Sequence, residues 1–140
     1  MTILQPPGWP RPRGYANGVS AEGRLVFVSG QIGWDERGVF ARGLAEQVRQ
    51  TLRNVLAIVA EAGGSAADVT RLTWYVCDRQ AYIAEQAAIG AAYREVMGKH
   101  FPAMAVVQVS GLVEADALVE IEATAVIPRV GAAAKESPSD

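Results

Sequence analysis

Apolar residues recur at helical spacing in two stretches of the chain. From Leu44 to Ala62 they return every three or four positions, and the Gly63-Gly64 pair that follows favours a left-handed stop. The stretch from Tyr82 to Met97 has the same spacing and ends at Gly98. The pattern therefore predicts two amphipathic helices, over about 44–62 and 82–97.

Strand-like segments lie on both sides of these helices. Residues 69–77 are rich in β-branched and aromatic side chains, and alternation puts Leu72, Trp74 and Val76 on one face. Further strands are predicted around Val19, over 24–29, 103–110 and 117–127, with a short one near Val39-Phe40; residues 21–23 have the length of a hairpin connection between the first two. The fold class predicted is α+β, a mixed five- to six-stranded sheet with both helices packed on one face.

The chain length of 140 residues suits one domain. Four prolines in residues 1–13 predict an extended arm, and the small, polar residues 131–140 predict a loose tail. The folded domain is therefore expected over 14–130. The sheet face without helices is expected to be covered by another copy of the chain.

Composition excludes several classes of function. A formal charge of −2 disfavours sequence-independent binding of nucleic acid. A single cysteine and a single histidine leave no disulfide framework and no Cys/His zinc site, and no Gly-x-Gly-x-x-Gly motif indicates a dinucleotide. We expect no cofactor or metal. No apolar run is long enough to cross a membrane and no signal peptide is evident, so a cytoplasmic location is expected.

Four short motifs follow one another along the chain. They are Ser29-Gly30-Gln31, Asn54 with Ala62-Gly63 at the end of its helix, Phe101-Pro102-Ala103, and the Val-Glu-Ile-Glu-Ala run at 119–123. With these motifs, residues 14–129 resemble the Rid (YjgF) family, whose best-known members are enamine and imine deaminases. The resemblance implies a homotrimer whose sheets face inward, with three ligand clefts at the subunit boundaries.

The chain departs from the family at three cleft positions. Deaminating members carry an arginine directly after the Pro-Ala pair to bind the substrate carboxylate, and here that position is Met104. A family asparagine three residues before a tyrosine corresponds to Gly90, and a family cysteine corresponds to Val106. A thioether offers only a weak acceptor, so the usual carboxylate anchor is missing.

Other cleft positions match, namely Tyr15, Ser29, Gly30 and Glu120. Glu120 is the candidate acid or base: it shares a strand face with Glu122 and lies opposite Val119 and Ile121. The alternative for Glu120 and Glu122 is that they lie on a strand face exposed to solvent. Tyr15 could likewise pack against the sheet edge instead of donating a hydrogen bond in the cleft.

Two further residues are candidates with commoner alternatives. Arg42 could replace the missing anchor from a loop, although a surface salt bridge is the usual role of such an arginine. His100 lies just beyond the second helix, where capping of the helix end is favoured over catalysis.

Three functions remain. The first is a Rid-like deaminase that hydrolyses an enamine or imine of altered specificity, with 2-aminomuconate-type compounds as one candidate class. The second is a non-catalytic trimeric protein that binds a small ligand. The third, a ribonuclease or translation inhibitor, is least favoured because the chain is acidic and has one histidine. The expected partners are a small-molecule substrate and other copies of the chain, with no nucleic acid and no membrane.

Overall fold

The computed structural model describes residues 1–129, so the predicted tail at 131–140 lies outside the described residues. In chain order the elements are β1 (Thr2–Leu4), β2 (Gly18–Ser20), β3 (Arg24–Ile32), α1 (Leu44–Glu61), a 3-10 turn (Ala66–Asp68), β4 (Val69–Val76), α2 (Arg79–Ala84), α3 (Gln86–Met97), β5 (Ala103–Gln108) and β6 (Val119–Ile127).

The main sheet has the strand order β3-β6-β4-β5. β6 runs antiparallel to both of its neighbours, whereas β4 and β5 are parallel, so the sheet is mixed as predicted. It has four strands where five or six were expected. The predicted strand at Val39-Phe40 is reduced to one isolated bridge between Trp34 and Phe40.

The hairpin predicted between Val19 and residues 24–29 is wrong. β2 pairs with β1 in a separate two-stranded sheet, in which Ile3 lies opposite Val19. The arm thus contributes β1, a partner for β2 that the sequence did not predict. Gln5 fastens the arm further, since its side-chain amide donates to the carbonyl of Trp9 at 3.0 Å and accepts from Asn17 at 2.9 Å.

Both long helices lie on one face of the main sheet, as predicted. α1 buries one stripe of residues, and the core also includes β4, β6 and α3; it contains Val48, Leu52, Leu72, Ile121 and Tyr93. Gly63 follows α1 with φ 86°, the left-handed value expected for its stop. The second predicted helix is interrupted at Glu85, whose φ of −104° and ψ of 17° separate α2 from α3.

Two side-chain amides, one buried and one half-buried, join α1 to the loops that surround it. Gln47 donates to the carbonyls of Ala41 and Asp116, at 3.2 and 3.0 Å, and accepts from the Leu118 N–H at 2.8 Å. Asn54, one of the motif residues, donates to two carbonyls at the end of β3, those of Ile32 and Trp34. These bonds hold the end of β3 against the helix. No helix within residues 1–129 is long and apolar enough to cross a membrane.

Candidate functional site

A cavity of about 520 Å³ lies on the helix side of the sheet, beside β5. Its size is in the usual range for a small-molecule site. It is lined by Arg13, Gly14, Tyr15, Trp74, Tyr82, Gln86, Ile89, Gly90, Tyr93, Arg94, Phe101, Met104 and Val106.

Strand register places two of the predicted site residues in this cavity. Met104 is paired with Leu72 and Val106 with Trp74 across the parallel β4–β5 ladder. Leu72 and Trp74 face the helices, so Met104 and Val106 face them too. Tyr15 reaches the same cavity because the next residue, Ala16, donates its N–H to the Pro102 carbonyl at 3.0 Å and bridges to Ala103.

Four aromatic rings form one wall of the cavity. Tyr93 is stacked on Phe101, with ring centroids 5.3 Å apart, and lies 6.4 Å from Trp74, which in turn meets Tyr82 edge-on at 6.3 Å. The Tyr93 hydroxyl donates to the His100 carbonyl at 2.6 Å. Burial raises the pKa of both Tyr82 and Tyr93, so both phenols stay neutral near pH 7.

The charge of the cavity is positive. Arg13 and Arg94 line it, and within residues 1–129 no aspartate or glutamate does. Neither guanidinium is within salt-bridge distance of a carboxylate in the described part of the chain. One further donor is buried: Trp74 is 2% exposed, and its Nε1 has no hydrogen-bond partner among the described residues.

Three other predicted site residues, Ser29, Gly30 and Glu120, belong to the opposite face of the sheet. Glu120 is paired with Tyr75, which faces away from the helices, and β6 alternates as predicted, with Val119 and Ile121 buried. The Glu120 carboxylate lies over Gly30, in the space that a side chain at position 30 would need. The Glu122 carboxylate accepts from the Tyr75 hydroxyl at 3.1 Å.

Ser29 and Gly30 form an irregularity in β3. The pairing of β3 with β6 shifts register between Val28 and Gln31, so the two residues between them have no ladder partner. The Gln31 side chain donates back to the carbonyl and the hydroxyl of Ser29, at 3.1 and 3.3 Å. Both Ser29 and Gly30 are exposed on this edge strand.

Arg42 and His100 lie outside the cavity lining. Arg42 is exposed in the turn before α1. His100 has a structural contact, since its Nε2 is 2.7 Å from the Val69 carbonyl and acts as the donor because a carbonyl can only accept. This contact joins the segment after α3 to the start of β4.

The family model described as Endoribonuclease L-PSP matches residues 10–127. The chain belongs to the Rid family. Among curated relatives, a RutC family protein of Pyrococcus abyssi is 36% identical over 118 residues, which are 83% of this chain and 89% of that protein. A 2-iminobutanoate/2-iminopropanoate deaminase of Salmonella typhimurium is 38% identical over 116 residues, 80% of this chain and 86% of the relative.

Solved structures agree with this assignment. A conserved Rid protein from Yersinia pestis superimposes with a TM-score of 0.78 at 30% identity, and the match covers 89% of this chain and 97% of that one. The Rid fold thus extends over the sheet and both long helices. Against this fold, sequence reasoning missed the cavity cations Arg13 and Arg94 and the aromatic wall. The sequence contained one signal for Arg94: it lies one helical turn from Gly90, so the two residues share a face of the helix.

Proposed function

We propose that this chain is an imine or enamine deaminase that works as a homotrimer, with its active site in the cleft between neighbouring subunits. The observation that carries the proposal is the division of the candidate residues. Tyr15, Met104 and Val106 lie on the helix side of the sheet, and Ser29, Gly30 and Glu120 on the other side. One chain cannot bring the two groups to one substrate, whereas a second copy can.

The exposed sheet face supports this assembly. Phe27 is 75% exposed there, and Leu25 and Val107 are exposed on the same face. Exposed apolar side chains clustered on one sheet face are typical of an interface. β3 and β5 are the two edge strands of the main sheet, so Ser29 and Gly30 lie at one edge and Met104 and Val106 at the other.

The proposed reaction needs one positioned proton donor and acceptor. Glu120 takes a proton from water as the oxygen attacks the C=N carbon, and then returns it to the nitrogen. Collapse of the resulting carbinolamine breaks the C–N bond and releases ammonia, leaving a carbonyl compound. The enamine form is first protonated on carbon. The deaminase activity of the Salmonella relative supports this class of reaction.

The substrate is proposed to differ from those of arginine-bearing relatives. Met104 supplies apolar contact where a carboxylate anchor would stand, and the aromatic wall favours an unsaturated or conjugated compound. Conjugated enamines of the 2-aminomuconate type fit this description.

The test follows the loss of imines generated in situ from amino acids, above the spontaneous rate, together with ammonia release. Glu120→Gln should lower the rate about a hundredfold or more, the usual contribution of a general acid or base. Glu122→Gln is the matched control, because it lies two residues away on the same face and keeps an acceptor for Tyr75. A Glu120→Gln protein of full activity would overturn the assignment.

A non-catalytic binding protein is the second candidate. It is favoured by the absence of any carboxylate from the cavity lining of the described chain. Ligand binding without ammonia release from any imine tested, in a protein shown to be trimeric by scattering, would select this candidate. RNA cleavage by the purified protein would select the ribonuclease alternative instead.

A further inference from the structure

The cavity offers cations and hydrogen-bond donors in a largely aromatic setting. Arg13 and Arg94 contribute two guanidinium groups, and Tyr15 contributes a phenol. Since no carboxylate of residues 1–129 neutralises either arginine, the complementary ligand is an anion. The chain as a whole has a charge of −2, so this positive cavity is a local feature and does not reflect the composition.

Arg94 lies against α3 because position 90 has no side chain. A Cβ atom at Gly90 would be 3.2 Å from Arg94 Nη1, closer than most real Cβ contacts. The two residues are one helical turn apart, so the guanidinium folds back along its own helix. A larger residue at position 90 would displace it from this cavity wall.

The buried indole of Trp74 is the second observation. Its Nε1 has no partner in the described chain although the side chain is almost fully buried and lines the cavity. Buried N–H groups in proteins nearly always have an acceptor. The described residues supply none, so an indole donor without an acceptor lies in the wall of this cavity.

We propose that Arg94 is the anion-binding residue of this cavity and that the ligand is a flat, conjugated carboxylate. The carboxylate binds the Arg94 guanidinium in a bidentate manner, with Arg13 as a second cation, and the flat body packs against the aromatic wall, in which Tyr82 and Phe101 are only partly buried. The anchor thereby moves from β5, where Met104 lies, to α3. This proposal rests on the proposed function in one respect, that the substrate binds in this cavity. Ligand binding is therefore measured separately from turnover.

The experiment is isothermal titration of the full-length protein with three matched probes. trans-Cinnamate is flat and anionic, trans-cinnamamide is flat and neutral, and 3-cyclohexylpropanoate is anionic but not flat. We expect cinnamate to bind at least about tenfold more tightly than either of the others, because only cinnamate has both the charge and the flat body.

Four variants assign the anion contact. Arg94→Gln and Gly90→Asn should each raise the Kd for cinnamate about tenfold while leaving that for cinnamamide unchanged. Arg94→Lys keeps the charge but loses the bidentate geometry, so it should raise the Kd for cinnamate less than Arg94→Gln does. Arg11→Gln removes the same charge two residues from Arg13 and outside the cavity lining, and it should bind like the wild type.

Three results would overturn the proposal: no binding of cinnamate, equal binding of acid and amide, or an Arg94→Gln protein that binds cinnamate normally. Circular dichroism of each variant checks that the chain is folded. Arg94-dependent binding in a protein that hydrolyses no imine would support the anchor while refuting the deaminase, so the two failures are distinguishable.

Discussion

The carboxylate of Glu120 lies directly over Gly30, where a β-carbon at position 30 would collide with it. The two residues belong to neighbouring antiparallel strands, and the register shift between Val28 and Gln31 brings them together. The glycine of the Ser-Gly motif in β3 therefore makes room for a side chain of β6, because without a Cβ at position 30 the Glu120 carboxylate can lie across the strand.

Gly30→Ala should act as a positional knockout of Glu120. The methyl group displaces only the flexible end of that side chain, so the fold should tolerate the change, with a shift in Tm of less than about 5 °C. The rate of imine hydrolysis should fall, as it should in the Glu120→Gln protein. Gly111→Ala is the control, because a Cβ at Gly111 has no atom within 4 Å. Equal activity of the two alanine variants would show that the position of Glu120 is irrelevant.

Phe27→Asp should dissociate the proposed trimer. Phe27 is the most exposed large apolar side chain on the free sheet face, and a carboxylate buried at the proposed interface would have no partner to offset its desolvation. The measured mass by light scattering should fall from that of a trimer to that of a monomer. Val113→Asp introduces the same charge at a 98% exposed valine and should leave the mass unchanged. A monomeric wild-type protein would refute the trimer at the outset.

Periodicity in the sequence predicted the helices and the central strands well, because their apolar faces are set by the core. α1 ends within one residue of the predicted boundary, and β4 buries Leu72, Trp74 and Val76 as alternation required. The pairing of short strands could not be predicted. Gly18–Ser20 has three residues and no strong face, so its partner depends on where the arm folds back.

The site was harder to predict than the fold. Strand alternation correctly put Glu120 and Glu122 together, but it did not relate their face to that of Met104, because that relation depends on which strands pair and in which register. Arg13 is the last residue of the proline-rich arm and Arg94 lies on a helix surface, so the sequence pattern of each is that of an ordinary solvated cation. Only the tertiary fold brings them to one cavity.

Gln47→Leu should destabilise the fold substantially. The Gln47 amide makes three hydrogen bonds to backbone groups while 3% exposed, and leucine would leave the Asp116 carbonyl and the Leu118 N–H without this partner. A loss of about 2–4 kcal/mol follows, seen as a fall in Tm of roughly 5–10 °C. Gln80→Leu, at an exposed position on α2, should change Tm little. Both proteins are compared at one concentration, since the Tm of a protein that self-associates depends on its concentration.

Tyr75 should ionise at unusually high pH. Its hydrogen bond to the Glu122 carboxylate, with a smaller contribution from desolvation, raises the pKa of the phenol above its ordinary 10.0. Because the folded-state pKa is raised, the stability from this contact is fully present below pH 10 and is lost as the pH rises through the folded pKa. In an ultraviolet titration of tyrosinate, one tyrosine should ionise at a lower pH in the Glu122→Gln protein than in the wild type. Superimposable titrations would mean that the contact does not persist in solution.

Met104→Arg should give the protein activity on 2-aminoacrylate, which we expect to be small or absent in the wild type. Position 104 directly follows the Pro-Ala pair, and its pairing with Leu72 directs the side chain into the cavity. A small enamine acid such as 2-aminoacrylate has only three carbon atoms and no extended body to pack on the aromatic wall, so it depends on a carboxylate contact beside β5. Each charge-assisted hydrogen bond restored there contributes about 1.5–3 kcal/mol, or at least an order of magnitude in kcat/KM if it persists in the transition state.

The double variant Met104→Arg/Arg94→Gln separates the two anchors. If Arg94 binds only the larger conjugated acids, its removal should weaken the binding of trans-cinnamate about tenfold, as in the single variant, without reducing the new aminoacrylate activity. The assay is the loss of freshly generated aminoacrylate above the spontaneous rate, with Met104→Leu as the volume-matched control. Rapid turnover of aminoacrylate by the wild-type protein would refute this prediction, because a thioether at position 104 would then suffice.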